Sequence, residues 1–231
     1  MEEAGNIGVP IPGTVLKLVP ASDSLEVRVV GPNVTPGYWR APGPTAAAFD
    51  EEGFYRIGDA VAFVDRDRPE AGLRFDGRVA EDFKLSTGTW VRVGAMKARA
   101  IAALSPIASD VVVAGAGNDA PGLLVFPDSD GCRLVADLPR DAPLSVVVDH
   151  PAIRRHIHAA MREMSAAAGS SMYPTRCLLL ADLPSREGGE ITDKGYINQR
   201  AVLARRADLV AILFQEPPPG SVVSLAPRTE S

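Results

Sequence analysis

The hydrophobic period of this chain changes once, and that change limits the architectures open to it. Up to Phe75 the apolar residues follow the two-residue alternation of half-buried strands, with a single helical turn expected at Pro44–Phe49. Thr14–Val19, Leu25–Val30, Ala60–Val64 and Leu73–Phe75 are the predicted strands, separated by Gly/Pro turns such as Gly31-Pro32 and Pro36-Gly37. Many short strands with such turns imply part of a barrel or sandwich. About 76 residues of this kind would bury only about 60% of the surface of the unfolded chain. A large N-terminal partner region is therefore expected, and an apolar face of residues 7 to 76 should be left uncovered.

The change of period falls at Gly77–Val93. Phe83 and Leu85 alternate with Asp82 and Lys84, Ser86-Thr87-Gly88-Thr89 is turn chemistry, and Trp90-Val91-Arg92-Val93 reads as a return strand. The result is a hairpin with Lys84 on one limb and Gly88 at a tip without bulky side chains, which lets another backbone or a ligand come close.

Beyond the hairpin, helices and strands mix. Gly94–Leu104 should be a helix stopped by Pro106, and Pro151–Ala168 a longer one that starts on Pro151 and ends at Gly169. Asp110–Val113, Gly122–Phe126 and Arg176–Leu180 read as strands, and Ile197–Phe214 as largely helical. Residues 127 to 146 give no clear pattern. Residues 216–231, rich in Pro and Ser, are expected to be a disordered tail. The predicted class is α+β: a β-rich part over residues 1–78, then a small α+β domain over 79–215.

Composition narrows the partners. The net charge is −5 and no basic run is present, which argues against nucleic acid and membrane surfaces. Cys132 and Cys177 lack paired spacing and suggest buried thiols in a reducing compartment. No long apolar run or signal peptide stands out, so a cytoplasmic protein is predicted. Only four of the 24 basic residues are lysines, namely Lys17, Lys84, Lys97 and Lys194, so arginine is the default cation. His150, His156 and His158 do not share one helical face, and no metal site is predicted. Val111–Gly117 mimics a strand entering a dinucleotide-binding glycine turn. Pro121-Gly122 and another strand follow it where a helix is required, so it reads as a hairpin loop.

Three segments, taken together, resemble the acyl-adenylate-forming enzymes. They are Leu25–Gly31 with Val34–Trp39, then Phe54-Tyr55-Arg56-Ile57-Gly58-Asp59, then Gly77-Arg78 through Lys84 to Gly88. Lys194 falls where that family has its C-terminal catalytic lysine. The wording of Gly77–Trp90 and of Glu190–Arg200 is similar to the feruloyl-CoA synthase branch. The resemblance covers roughly residues 7 to 214 and identifies the β-rich part as a remnant of the large domain's barrel subdomain, with the following domain as the lid.

That resemblance implies an ATP-dependent acid–CoA ligase working through an acyl-adenylate, on a carboxylic acid such as a hydroxycinnamate. Asp59, Arg78 and Tyr55 would bind the nucleotide, Lys194 would serve the first step, and Ala80 would be the hinge. Lys84, Gly88 and Trp90 would meet CoA. ATP and Mg2+ would be held mainly by the missing adenylation region, so the chain alone should be inactive. Three positions depart from the family pattern: Ile57 replaces a threonine, Ala80 replaces the usual Asp or Lys, and one extra residue separates Lys84 from Gly88. The rival reading is a non-catalytic CoA- or protein-binding module that keeps the lid fold. Oligomeric state, a homodimer included, stays open.

Overall fold

A computed structural model describes residues 5–21, 24–166 and 173–225. The chain divides into two compact units between Asp82 and Phe83, four residues beyond the boundary expected at 78.

The first unit is a five-stranded antiparallel sheet. Its elements are β1 (Asn6–Gly8), β2 (Val15–Ala21), β3 (Ser24–Val30), the short helix α1 (Pro42–Ala48), β4 (Tyr55–Phe63) and β5 (Leu73–Arg78), and the strands lie in the order β1-β5-β4-β3-β2. Its core is small: Val27, Val61 and Leu73 are buried, with Leu16, Leu18, Leu25, Ile57 and Phe63 packed around them. A knot of charges reinforces it. Lys17 on β2 reaches both Asp50 and Glu52 at 2.7 Å, while Arg28 on β3 holds Glu26 at 2.7 Å and Asp50 at 3.0 Å. Asp50 also accepts the backbone N–H groups of Glu52 and Phe54, closing the turn into β4. The Lys17 ammonium, helped by these N–H donors and Arg28, holds the Asp50 carboxyl far below the usual carboxylate range.

The second unit is built in three layers. After the ribbon β6 (Phe83–Lys84) and β7 (Trp90–Val91) come α2 (Val93–Leu104), β8 (Ala108–Ala114), β9 (Gly122–Pro127), α3 (Ser129–Ala136), α4 (Leu144–Val148) and α5 (Pro151–Ala166). Then follow β10 (Arg176–Leu179), α6 (Gln199–Arg205), α7 (Ala207–Leu213) and β11 (Val222–Ser224), giving a sheet in the order β11-β10-β9-β8. Period-two alternation sorts its side chains. Val111, Val113, Leu123, Val125, Cys177 and Leu179 join Met96, Leu104, Ile157 and Met161 of α2 and α5 in one core. Val112, Leu124, Phe126, Leu178 and Val222 point the other way, onto Val202 of α6 and Leu213 of α7. Both faces are covered, which is why Val111–Val113 and Leu123–Phe126 read as unbroken apolar runs.

The unclear stretch 127–146 holds α3, capped by Asp128 accepting the Gly131 N–H at 2.7 Å and stopped by Asp137 in the left-handed region (φ 53°), and then α4. The tail expected to be disordered is ordered through residue 225, because Val222–Ser224 pairs antiparallel with β10; residues 226–231 lie outside the described residues. Gly169, the expected stop of the long helix, also lies outside them. Residues 197–214 are largely helical, as expected, in two helices that meet at Arg206, whose φ and ψ are −106° and 35°.

The break has a cause. The Arg206 guanidinium donates from Nε to Glu190 Oε1 at 2.7 Å and from Nη2 to Glu190 Oε2 at 2.9 Å, and it caps the carbonyls of Asp182 and Leu183. Glu190 is fully buried and also accepts the Ser185 N–H at 2.7 Å. Leaving one buried partner of such a pair alone costs about 3–5 kcal/mol. Among the described residues no helix is long and apolar enough to cross a membrane.

Two predictions follow from this packing. The first unit exposes Ile7, Val9, Ile11 and Val15, the last beside a shallow groove of about 360 Å³ lined by Leu16, Leu18, Phe63 and Leu73. A hydrophobic reporter dye should brighten on the purified chain, and Ile11→Ser with Val15→Ser should at least halve the signal; a silent dye contradicts the uncovered face. For Glu190, Arg206 in the first place holds the carboxyl below its ordinary value, and the Ser185 N–H adds to this against desolvation. A depressed folded-state value stabilises fully above the ordinary carboxylate range and is lost as pH falls through the folded one, from about pH 5 downward. Glu190→Gln should therefore lower stability at pH 7 by roughly 3 kcal/mol and flatten the acid limb relative to wild type. Parallel stability–pH curves for the two proteins would contradict it.

Candidate functional site

In the first unit, β4 and β5 bring two of the expected nucleotide residues together. Asp59 and Arg78 are register partners across these strands, and Arg78 Nε lies 2.9 Å from Asp59 Oδ1. Arg78 also donates from Nη1 to the Ile57 carbonyl at 3.2 Å. A register irregularity between Asp59 and Val61 and the positive φ of Gly58 (78°) and Gly77 (99°) turn the two strand ends here. A Cβ on Gly58 would meet nothing within 4 Å. Tyr55 lies at the head of β4, its hydroxyl 2.8 Å from that of Tyr38 and its ring edge-on to Phe49. The Tyr38 hydrogen bond, with burial, raises the Tyr55 pKa above the usual phenol value. Tyr55 is thus engaged with Tyr38, and Asp59 with Arg78. Trp39, next to Tyr38, is 87% exposed.

Ala80 lies in a one-turn 3₁₀ helix, Val79–Glu81, immediately ahead of the division between the units. A short turn of this kind is where a few backbone torsions can absorb a domain movement.

In the second unit Lys84 and Trp90 are register partners of the β6–β7 ribbon, with the ammonium 5.2 Å from the indole centroid. Gly88 forms the tip at φ 84°, donating to the Leu85 carbonyl at 3.0 Å, and a Cβ there would meet nothing within 4 Å. A ribbon two residues wide is too short to hold its own shape. The loop Gly115–Asp119 supplies the hold: Ser86 N–H donates to the Asn118 carbonyl at 3.0 Å, Gly117 N–H donates to the Lys84 carbonyl at 3.1 Å, and the Ser86 hydroxyl bonds Asp119. The glycine-rich loop therefore joins β8 to β9 as a hairpin, as expected, and braces a second hairpin as well.

Lys194 occupies the third position of the tight turn Thr192–Gly195, closed by Gly195 N–H donating to the Thr192 carbonyl at 2.8 Å with Gly195 at φ 85°. Thr192 and Tyr196 are joined at 2.8 Å, and Ile191 and Ile197 form a bridge below them. The base is pinned on both sides. On one is Glu190 with its Arg206 clamp. On the other, Asn198 caps α6 and Gln199 bonds the edge strand β8, donating to the Val113 carbonyl at 2.8 Å and accepting its N–H at 3.2 Å. Lys194 itself is exposed, and no carboxylate pairs with it among the described residues. Glu190, Gln199, Arg206 and Asp119 were not singled out by the sequence. A buried Glu and Gln beside a candidate lysine is the one signal that was available.

No protein-family model matches the chain. It is 26% identical over 193 residues to a carboxylic acid reductase of Segniliparus rugosus, covering 83% of this chain and 15% of that protein. It is 26% identical over 216 residues to the long-chain-fatty-acid–CoA ligase FadD15 of Mycobacterium tuberculosis, covering 92% of this chain and 34% of the relative. A shorter match, 34% over 96 residues, joins it to human long-chain-fatty-acid–CoA ligase 1, covering 38% of this chain and 13% of that one. The chain spans about a third or less of the length of these relatives. Among solved structures, the adenylation domain of the Segniliparus rugosus reductase, in complex with AMP and a co-purified carboxylic acid, superimposes with a TM-score of 0.67 at 22% identity. That match covers 89% of this chain and 32% of the domain. The adenylation domain of a Mycobacterium chelonae carboxylate reductase gives 0.68 at 23%, covering 88% and 31%. The homologues and structural neighbours of this chain are AMP-forming acyl-CoA ligases and adenylation domains, and it shares a fold with part of them.

Proposed function

We propose that this chain contributes the ribose clasp and the mobile lid of an AMP-forming acid–CoA ligase. The observation that carries the reading is the Lys194 ammonium, which no carboxylate pairs among the described residues, on a turn whose base is locked by Glu190–Arg206 and Gln199. An ordinary surface lysine does not need a buried foundation. A positive charge held still is what a reaction that develops negative charge on phosphate oxygens requires.

In the first half-reaction a carboxylate oxygen attacks the α-phosphorus of ATP, the bond to the β-phosphate oxygen breaks, and pyrophosphate leaves. Lys194 would face the oxygens that gain charge. Asp59 would accept hydrogen bonds from the ribose hydroxyls, held in orientation by Arg78. In the second, the CoA thiolate attacks the acyl carbonyl and AMP departs with its phosphate oxygen. The lid would swing at Ala80 to exchange Lys194 for the Gly88 ribbon, whose bare tip leaves room for a thiol-bearing arm. Lys84 and Trp90 would flank that arm. The residues described here gather no group of three His, Cys, Asp or Glu side chains, so Mg2+ would be held by the larger adenylation region together with the triphosphate. The acid is proposed to be a hydroxycinnamate on the wording of Gly77–Trp90 and Glu190–Arg200 alone.

Lys194→Ala tests the reading in an enzyme assembled with an adenylation region. ATP–pyrophosphate exchange should fall a few hundredfold, equivalent to about 3 kcal/mol, while thioester formation from preformed acyl-adenylate stays within threefold. The isolated chain should show no exchange. Equal losses in both half-reactions, or no loss in either, would favour a binding module that has kept the fold without the chemistry.

A further inference from the structure

Two segments of the second unit, the Lys194 turn and the Gly88 ribbon, are fastened to one short stretch of the β8–β9 hairpin. On β8, the Val113 carbonyl accepts from the Gln199 amide at 2.8 Å, and the Val113 N–H donates back to it at 3.2 Å. The loop that takes hold of the ribbon begins two residues later, at Gly115. Two residues of extended strand span about 7 Å, so both fastenings share one frame.

The two fastenings differ in kind. Gln199 is buried, and an apolar side chain of its length would leave both Val113 groups without a partner. Next to it, the Asn198 N–H donates to the Glu190 carbonyl at 2.9 Å, which closes the base of the Lys194 turn. Asp119 and Ser86, by contrast, are exposed. Their hydrogen bond adds little to global stability. Its place is what matters, since Ser86 stands two residues ahead of Gly88. The loop grips Ser86 twice, with the Asp119 carboxylate on its hydroxyl and the Asn118 carbonyl on its N–H at 3.0 Å. Leu85 anchors the ribbon in the core, and the loop fixes the direction in which the tip leaves it.

We propose that Gln199 and Asp119 are positioning residues for opposite half-reactions. Gln199 sets the Lys194 turn for adenylation, and Asp119, through Ser86, sets the Gly88 tip for thioester formation. The assignment rests on the ligase reading above, in which those two segments serve different steps. Neither residue touches a reactant; each acts through the segment it holds. A displacement of about 1 Å at a reacting group costs on the order of a hundredfold in rate, so a partial loosening is measurable.

The first test uses the 231-residue chain by itself and reads amide hydrogen exchange. Asp119→Ala should quicken exchange at Ser86 and Gly117 about tenfold and leave Val113 unchanged. Gln199→Met, which keeps the length and loses the amide, should do the reverse. Should that variant fail to fold, Gln199→Glu keeps one acceptor for the Val113 N–H and should give the same pattern with a smaller change.

The second test uses the enzyme assembled with an adenylation region. Asp119→Ala should slow thioester formation from preformed acyl-adenylate about tenfold, with ATP–pyrophosphate exchange within about twofold of wild type. Gln199→Met should slow pyrophosphate exchange about tenfold and leave thioester formation within about threefold. Ser86→Ala should match Asp119→Ala, and the double variant should lose no more than either single one. Asp119→Asn still accepts the Ser86 hydroxyl and should restore most of the thioester rate, which a direct role for the charge would not allow. Unchanged amide exchange, equal losses in both half-reactions, or additive effects of Ser86→Ala and Asp119→Ala would each overturn the proposal. Lys194→Ala, run alongside, separates the two levels. If it spares pyrophosphate exchange, the ligase reading fails and this assignment with it. If it cuts exchange as expected while Asp119→Ala and Gln199→Met spare both steps, only the assignment falls.

Discussion

The ion pair between Glu190 and Arg206 is the interaction on which the second unit's functional geometry depends. Burying both charges is expensive, and apolar residues of the same volume would often be as stable or more so. What the pair provides is direction. Arg206 is drawn out of helical torsions to reach Glu190, so what could have been one helix becomes α6 and α7, each free to follow the sheet separately. The same guanidinium caps the carbonyls of Asp182 and Leu183 and lies 5.0 Å from the Phe126 ring centroid. One side chain therefore fastens a loop, a helix break and the core of the sheet.

Sheet edges are the second constraint. β8 is an edge strand, and an open edge invites pairing with another chain. Gln199 answers Val113 with its own amide, one donor and one acceptor, as a neighbouring strand would. The Lys194 turn hangs from that contact. The Gly115–Asp119 loop plays the corresponding part for β6, completing a ribbon that could not stand alone. Both mobile-looking tips, Lys194 and Gly88, thus project from foundations that the packed sheet supports.

How much of this was legible depends on the range of the interactions involved. Val111–Val113, Gly122–Phe126 and Pro151 onward were readable because periodicity, run length and a starting proline are local signals. So was the strand following Gly117, which argues against a dinucleotide turn. The break at Arg206 was not readable, since its cause lies sixteen residues upstream in a glutamate with no local mark. Nor was β11, whose three residues become a strand only because β10 presents an edge to them. Asp59 and Arg78 could be picked by motif, but their pairing could not, because it follows from the β4–β5 register.

That pairing bears on how the proposed nucleotide clasp would operate. A carboxylate alone at a strand end could swing among several rotamers, and each ordered rotamer costs entropy when a ligand arrives. Arg78 restricts Asp59 in advance, while its second anchor, the Ile57 carbonyl, keeps the guanidinium itself in place. A carboxylate oxygen offers more than one acceptor direction, so holding Arg78 does not use up its capacity for hydroxyl groups. The isoleucine in the usual threonine place contributes its backbone oxygen to this arrangement, and a carbonyl is present whatever the side chain. The departure at residue 57 therefore leaves the Arg78 anchor intact.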